Sequence, residues 1–175
     1  MTDTLTTLHE VLEWHARTLR LLPTLSEDGK PTLIERKPPE GYLYASMYEC
    51  VLARGQKIEP APLSREQAAY VTQVTRGSRY PIKQCFSNSQ RVLWHLGRAN
   101  TRLRYFEGYA TSGLMPVLHG WLVLDDRHLI DLTWRHPTRK HGTLLRTRII
   151  GEIPEGYEYI GFEVADFKAI GERIR

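Results

Sequence analysis

The sequence predicts an α+β protein in which helices pack on a mainly antiparallel sheet of four to five strands. Apolar residues recur at helical spacing in the first half of the chain, whereas after residue 100 they alternate in short runs separated by turn residues. Hydrophobic residues make up 41% and charged residues 25% of the 175 residues, as in ordinary globular domains. We therefore expect one domain over residues 1–175. It combines a mainly helical extension over 1–80 with a core over 81–175 that contains one helix and the sheet.

Helical spacing or helical end signals mark several segments of the chain. They span residues 4–22, 42–53, 64–75, 85–96 and 164–174. Pro23 ends the first helix, because proline cannot continue it. Ser64 and Gln67 can bond each other's backbone N–H groups as a capping box. The segment 42–53 fits a helix or a strand, and we favour the helix. Residues 26–41 read as a loop with a short extended piece at 32–36.

The strands are expected between the fourth helix and the terminal one. They span residues 103–110, 117–124, 128–134, 146–150 and 158–162. A tight polar turn at residues 125–127 joins two of them into a hairpin. A register centred near residue 125 places His119 opposite Asp131, with Cβ atoms roughly 4.5–5.5 Å apart. The imidazole and the carboxylate would then satisfy each other on an otherwise apolar strand face.

Cys85 opens the fourth predicted helix, which is a position that activates a thiol. The unpaired N–H groups and the dipole of a helix N-terminus favour the thiolate, and a nearby histidine oriented by a carboxylate completes a nucleophilic site. His119 and Asp131 can supply these two groups. Oxyanion donors are expected from the backbone N–H of Cys85 and from the side chain or backbone of Gln84.

Four short runs in this order resemble the core of the transglutaminase-like cysteine enzymes of the papain-like superfamily. The runs are Cys85-Phe-Ser-Asn-Ser, Tyr105-Phe-Glu-Gly-Tyr-Ala110, Val117-Leu-His-Gly-Trp121 and Leu129-Ile-Asp-Leu-Thr-Trp134. The resemblance covers about residues 81–134 and departs from the family at Gly120, where alanine is commoner. It implies a papain-like core with Cys85 as nucleophile, His119 as general base and then acid, and Asp131 as the orienting residue.

Four neighbouring residues are candidates for a part in the site. Asn88, one helical turn after Cys85, and Trp121, next to His119, are expected around the triad, where the tryptophan would exclude water. Glu107 lies within an aromatic strand and is assigned with Tyr109 to substrate binding, for example of an amine. The alternatives without a role in the site are an ordinary polar residue in a first helical turn for Asn88, a core residue for Trp121, and an exposed or paired carboxylate for Glu107.

Composition limits the cofactors and partners. The two cysteines have neither the spacing of a zinc site nor the number for a disulfide framework, so we expect no metal, no cofactor and, for Cys50, a structural thiol. The net charge is +4, and six basic residues cluster in the C-terminal third: Arg127, Arg135, Arg139, Lys140, Arg146 and Arg148. A solvated basic face is favoured over nucleic-acid binding. Without a run of about 20 apolar residues or a basic leader, a cytoplasmic protein with no membrane partner is predicted.

The function predicted from these residues is thiol-dependent acyl transfer. The substrate would be a protein, a peptide or another amide, and the enzyme a peptidase, a deamidase or a transglutaminase-like enzyme. One alternative is a catalytically silent protein of papain-like fold that holds a protein or nucleic acid on its basic surface. Another is acetyl transfer from a thioester, because arylamine acetyltransferases use the same Cys, His, Asp order.

Overall fold

The computed structural model describes residues 7–97, 100–113, 115–140 and 143–164. Four helices and eight strands lie within these residues. The helices are α1 (Leu8–Arg20), α2 (Met47–Arg54), α3 (Arg65–Thr75) and α4 (Cys85–Leu96). The strands are β1 (Leu21–Leu25), β2 (Pro31–Glu35), β3 (Gln56–Lys57), β4 (Leu103–Thr111), β5 (Val117–Leu124), β6 (His128–Lys140), β7 (Thr143–Ile150) and β8 (Glu158–Glu163). None of these helices is long and apolar enough to cross a bilayer.

The strands form a six-stranded antiparallel sheet and a separate hairpin, which confirms the α+β prediction. The order in the large sheet is β3-β8-β4-β5-β6-β7, and β1 pairs with β2. The large sheet has one strand more than the four to five expected. The additional strand is the edge strand β3, whose two residues are too few to show an alternating pattern.

The helices begin and end for local reasons that the sequence partly revealed. The capping box of Ser64 and Gln67 is present at the start of α3, as predicted. The first helix ends at Arg20 instead of residue 22, because the chain turns into β1, in which Pro23 pairs with Leu33 of β2. The segment 42–53 is a helix from Met47 onward. The terminal helix expected over 164–174 lies outside the described residues, apart from Val164.

The two faces of the sheet are covered differently. One face carries the main core, to which all four helices contribute; its members include Leu12, Val51, Val71, Val92, Tyr105, Leu122, Leu124 and Ile130. The opposite face carries a smaller cluster that includes Phe106, Trp121, Val123, Leu129 and Tyr159. Residues alternate between the faces along β5, as the period of a strand requires. His119 therefore points to the same side as Trp121, away from the main core.

The hairpin of β5 and β6 differs from the predicted register. Paired residues run from Leu124↔His128 to Leu122↔Ile130, so the hairpin is centred on Asp126 and not on residue 125. The reason is the turn of residues 125–127, in which Asp125 and Asp126 have φ of 50° and 58° and the N–H of Arg127 bonds to the C=O of Leu124. His119 consequently lies diagonal to Asp131 instead of directly opposite.

The pairing of β5 with β6 ends where the candidate catalytic residues begin. Beyond Leu122↔Ile130 the two strands have no further paired residues. On its other side β6 is irregular, because Asp131 pairs with Ile149 of β7 while the next pair is Arg135↔Arg148. The strand bends here, since three of its residues have no partner in β7. The gap between β5 and β6 faces the N-terminal end of α4, which packs against both strands.

Candidate active site

Cys85 is the first residue of α4, and its side chain is only 8% exposed. Gln84 precedes it as the N-cap, with φ of −122° and ψ of 43°, and makes no side-chain capping bond. The first N–H groups of a helix have no partner within the helix, and their partial positive charge stabilises an anion. The Cys85 thiol therefore lies at the electropositive end of a three-turn helix.

His119 and Asp131 form a hydrogen bond between two buried side chains. The distance from His119 Nε2 to Asp131 Oδ2 is 2.7 Å, and the side chains are 1% and 0% exposed. The same carboxylate accepts a bond from the Tyr159 hydroxyl at 2.9 Å and bonds from the N–H groups of Thr133 at 2.8 Å and Trp134 at 3.0 Å. Four donors thus hold Asp131 in its charged form.

The pKa values of the three residues shift as a thiolate–imidazolium pair requires. Burial opposes each charge, but the hydrogen bond and charge of His119 outweigh it and lower the pKa of the Asp131 carboxyl. Burial also disfavours the imidazolium, yet Asp131 and then Cys85 raise the pKa of His119 to about 9. The Cys85 pKa falls below its ordinary value despite burial, because His119 and the N–H groups of Gly120 and Phe86 bond to the sulfur.

The imidazole of His119 connects the other two residues. Its Nε2 faces Asp131, which leaves Nδ1 as the ring nitrogen for the hydrogen bond to Cys85. The Trp134 ring lies 4.7 Å from the imidazole between ring centres, and the Trp121 ring lies 6.2 Å away. These aromatic rings exclude water from the imidazole and fix its plane. Trp121 is thus placed where the sequence predicted it.

Gly120 allows α4 to approach β5 closely. A Cβ atom at this position would lie 2.9 Å from both Phe86 Cδ1 and Tyr105 Oη, and 3.3 Å from Phe86 Cα. The buried Ser89 hydroxyl donates to the Gly120 carbonyl at 3.2 Å. The absence of a side chain at residue 120 thus brings the start of α4 to the strand that carries His119.

Asn88 joins the segment before Cys85 to β6. Its side chain is fully buried, and Nδ2 lies 2.8 Å from the Pro81 carbonyl oxygen and 2.8 Å from Thr133 Oγ1. Thr133 in turn donates its N–H to Asp131. The amide therefore positions the helix start relative to the carboxylate.

Glu107 and Tyr109 lie on β4, beside the strand of His119. Glu107 accepts a bond from the Tyr105 hydroxyl at 2.7 Å, and burial raises the pKa of its carboxyl. Tyr109 is buried in the main core, with its ring stacked on Tyr48 at 4.6 Å. Among the described residues no bond joins either side chain to the triad, so a role of this pair in substrate binding stays a prediction.

No family model matches the chain, and no curated protein or solved structure matches it either.

Several residues that complete the site were missed by sequence reasoning. Tyr159, Thr133 and Ser89 bond to the site, and the N–H of Gly120 reaches the sulfur. The apolar run of β8 gave one usable signal, because a tyrosine within a buried run needs a partner for its hydroxyl. Nothing in the sequence indicated that this partner is Asp131.

One cavity of the described structure lies away from Cys85. It has a volume of about 400 Å³ and lies between the start of α1, β3 and the loop before β8, with Leu8, Lys57, Pro116 and Tyr157 in its wall. Among the described residues no group of three or more His, Cys, Asp or Glu side chains is arranged to hold a metal ion. The groups that the structure brings together at Cys85 are a thiol, an imidazole and a carboxylate.

Proposed function

We propose that this protein is a thiol-dependent acyl-transfer enzyme, and specifically an amide hydrolase that uses Cys85, His119 and Asp131. The observation that carries the proposal is the 2.7 Å hydrogen bond between His119 and Asp131, beside a cysteine at a helix N-terminus whose pKa His119 lowers. A structural cysteine requires neither an imidazole nor a helix dipole. A buried histidine with a carboxylate on one nitrogen and a thiol on the other is the arrangement that nucleophilic catalysis needs.

The fold and the order of the residues support a papain-like core of the transglutaminase-like kind. The cysteine begins a helix that packs on an antiparallel sheet, and the histidine and the aspartate lie on consecutive strands of that sheet. The separation of those strands leaves room for the imidazole between them. A substrate carbonyl would approach Cys85 from the side of the exposed segment that precedes α4.

The reaction begins with the Cys85 thiolate beside a protonated His119. The sulfur attacks the substrate carbonyl, a C–S bond forms, and the carbonyl oxygen becomes an oxyanion. The N–H of Cys85 and the amide of the exposed Gln84 are the candidate donors to this oxygen. The imidazolium then protonates the leaving amine, the C–N bond breaks, and a thioester remains on Cys85.

Water or an amine resolves the thioester. His119 takes a proton from the attacking group, a second tetrahedral intermediate forms, and the C–S bond breaks to return the thiolate beside the imidazolium. Asp131 does not change its protonation state in this scheme. Its four hydrogen bonds keep it charged, so that it orients the imidazole and stabilises its cationic form.

The test is the alkylation rate of each cysteine by iodoacetamide as a function of pH. Cys85 should react as a thiolate well below pH ~8.5, the ordinary thiol value. In His119→Ala its pKa should rise to that value or above, because burial then acts without the opposing imidazole. Peptide mass spectrometry separates Cys85 from Cys50, which serves as the internal control. Equal pH profiles for Cys85 in the two proteins would reject the triad.

A non-catalytic binding protein is the second candidate. The observation that favours it is the exposed part of β7, which carries Arg146 and pairs with β6 beyond the residues at which β6 pairs with β5. If the protein is of this second kind, its binding should weaken as the salt concentration rises, and the pKa of the Cys85 thiol should have its ordinary value. The alkylation profile therefore discriminates between the two.

A further inference from the structure

Acidic residues are missing from two stretches of the chain. No aspartate or glutamate occurs between Glu66 and Glu107, or between Asp131 and Glu152. The first stretch contains the segment that leads into Cys85, and the second contains most of the β6–β7 hairpin. Both carry several basic residues, and the fold brings the two stretches together beside the thiol.

The contact between them is made by an arginine and a tyrosine. The guanidinium carbon of Arg148 lies 4.7 Å from the centre of the Tyr80 ring. Arg148 is paired in register with Arg135, and Arg146 lies two residues before it in β7. Cross-strand partners and residues two apart point to the same face of a sheet. The three arginines therefore share the face on which Tyr80 packs.

The charge on this face has no protein counter-charge in the described structure. The ion pairs found within residues 7–164 include Arg20, Arg102 and Arg104, but none of the three arginines of the hairpin face. The Arg148 Nε atom is buried without a hydrogen-bond partner. Burial and then the neighbouring Arg135 lower the pKa of Arg148. A half-buried guanidinium beside a like charge is costly, and an anion would remove that cost.

This face adjoins the candidate active site. Asn88 bonds both to Pro81, the residue after Tyr80, and to Thr133 of β6. Trp134, which packs on the imidazole of His119, directly precedes Arg135. An anionic group bound between the arginines would therefore be held beside the acyl group that the thiol attacks.

We propose that Arg135 and Arg148 bind a carboxylate of the substrate, so that the enzyme acts on acidic peptide segments. The proposal rests on the thiol function proposed above. Two guanidinium groups on neighbouring strands suit one carboxylate, because each presents its donors in a planar fork. A nucleic acid fits less well, since Tyr80 is only 5% exposed and Arg148 covers its ring, so no base can stack there.

Binding is tested without catalysis in full-length Cys85→Ala protein. The probe is a fluorescent peptide with one glutamine flanked by glutamates, and the comparison is the same peptide with glutamine in place of each glutamate. Fluorescence anisotropy should show binding of the acidic peptide alone. Adding Arg135→Gln should weaken it about tenfold. The matched control is Arg104→Gln, which removes the same charge from an arginine paired with Asp126 and Glu163, and should leave the affinity nearly unchanged.

Two further measurements separate recognition from a structural role. Arg135→Gln should keep or raise the Tm, because it removes a like-charge repulsion, whereas a structural arginine would lower the Tm when replaced. In the protein with Cys85 intact, the acidic peptide should slow the alkylation of Cys85 and leave that of Cys50 unchanged.

Three results would overturn the proposal: equal affinities of the Arg135→Gln and Arg104→Gln proteins, peptide binding that does not protect Cys85, and displacement of the peptide by a single-stranded oligonucleotide that binds more tightly. An unreactive Cys85 would reject the enzyme and leave the anisotropy result intact, so the two failures are distinguishable.

Discussion

Cys50 and Cys85 are the two cysteines of this chain, and each lies on a helix that packs against the same face of the sheet. Cys50 is in the interior of α2, where burial raises the pKa of its thiol and Arg54 offsets this only in part. Cys85 is less exposed, and yet its pKa falls. The difference is the position on the helix and the imidazole of His119, since burial acts in the same direction on both.

The comparison indicates that the lowered pKa of Cys85 comes from the groups around its thiol and not from its exposure. A thiol in the middle of a helix has no free N–H groups beside it, whereas the first residue of α4 has them together with the N–H of Gly120. The ratio of the alkylation rates of the two cysteines in one protein therefore measures the site directly. Three substitutions should change that ratio by decreasing amounts, and a fourth removes Cys50 and should leave the rate of Cys85 unchanged.

Asp131→Asn should have the largest effect, because it breaks a buried ion pair and leaves the imidazole without its partner. We expect a loss of about 3–5 kcal/mol in the free energy of unfolding and a rate ratio near that of two ordinary thiols. Urea unfolding and alkylation measure the two effects. An unchanged rate ratio in a folded protein would show that the carboxylate does not support the thiolate.

The pH dependence of that stability loss follows from the two shifted pKa values. The raised pKa of His119 contributes stability that is complete below 6.5 and is lost as pH rises through about 9. The lowered pKa of Asp131 contributes stability that is complete above 3.8 and is lost at lower pH. The difference in the free energy of unfolding between wild type and Asp131→Asn should thus be largest between pH ~3.8 and pH ~6.5. It should shrink as the pH rises towards ~9. A difference in the free energy of unfolding that stays constant across this pH range would contradict a charged pair of His119 and Asp131.

Tyr159→Phe should have the next largest effect. It removes one hydrogen bond to a charged acceptor and should cost about 1.5–3 kcal/mol, with a partial rise in the pKa of Cys85. The matched control is Tyr157→Phe, since Tyr157 contacts Trp134 by its ring and has no hydroxyl bond among the described contacts. Equal unfolding midpoints for the two variants would show that the bond from the Tyr159 hydroxyl does not stabilise the site.

Gly120→Ala should cost about 1–3 kcal/mol by overpacking and should slow the alkylation of Cys85 by displacing α4 from β5. The added Cβ would lie 2.9 Å from Phe86 Cδ1. Phe86→Leu combined with Gly120→Ala should recover part of both losses, because the smaller side chain makes room. Full activity and stability of the single variant would show that the helix can move without consequence.

Cys50→Ser should have the smallest effect. The thiol makes no hydrogen bond to an imidazole, so the fast alkylation of Cys85 should keep its rate and its pH profile. When all thiols are titrated, only the slow phase, which belongs to Cys50, should disappear. A change in the Cys85 profile would mean that the two cysteines are coupled through the core.

The sequence predicted the pairing of His119 with Asp131 although it placed the hairpin centre one residue too early. Moving the centre from 125 to 126 shifts every partner by two residues, and a shift of two keeps each side chain on its face. The face of the sheet to which each side chain points was therefore more predictable than the residue with which it is paired. The capped start of α3 and the position of Cys85 at a helix start followed from local signals in the same way.

Other parts of the site depended on contacts that no local pattern contains. Tyr159 bonds to Asp131 from β8, although β4 and β5 lie between β8 and β6 in the sheet. β1 was missed because Pro23 was interpreted as the end of a helix, whereas it lies in a strand that is paired only with β2. The proximity of the arginine face to Cys85 likewise required the fold, since it depends on the contact of Arg148 with Tyr80.

The gap between β5 and β6 has a consequence for the newly synthesised chain. The parts that meet there are far apart in sequence, and the last of them, Tyr159, follows Asp131 by 28 residues. Contacts between residues far apart in sequence must first offset the chain entropy that is lost when the loop between them closes. Until β8 has joined the sheet, the Asp131 carboxylate lacks the bond from the Tyr159 hydroxyl that helps to keep it charged beside His119. The hydrogen bonds around the His119–Asp131 pair are therefore complete only when β8, the last of the described strands, is in place.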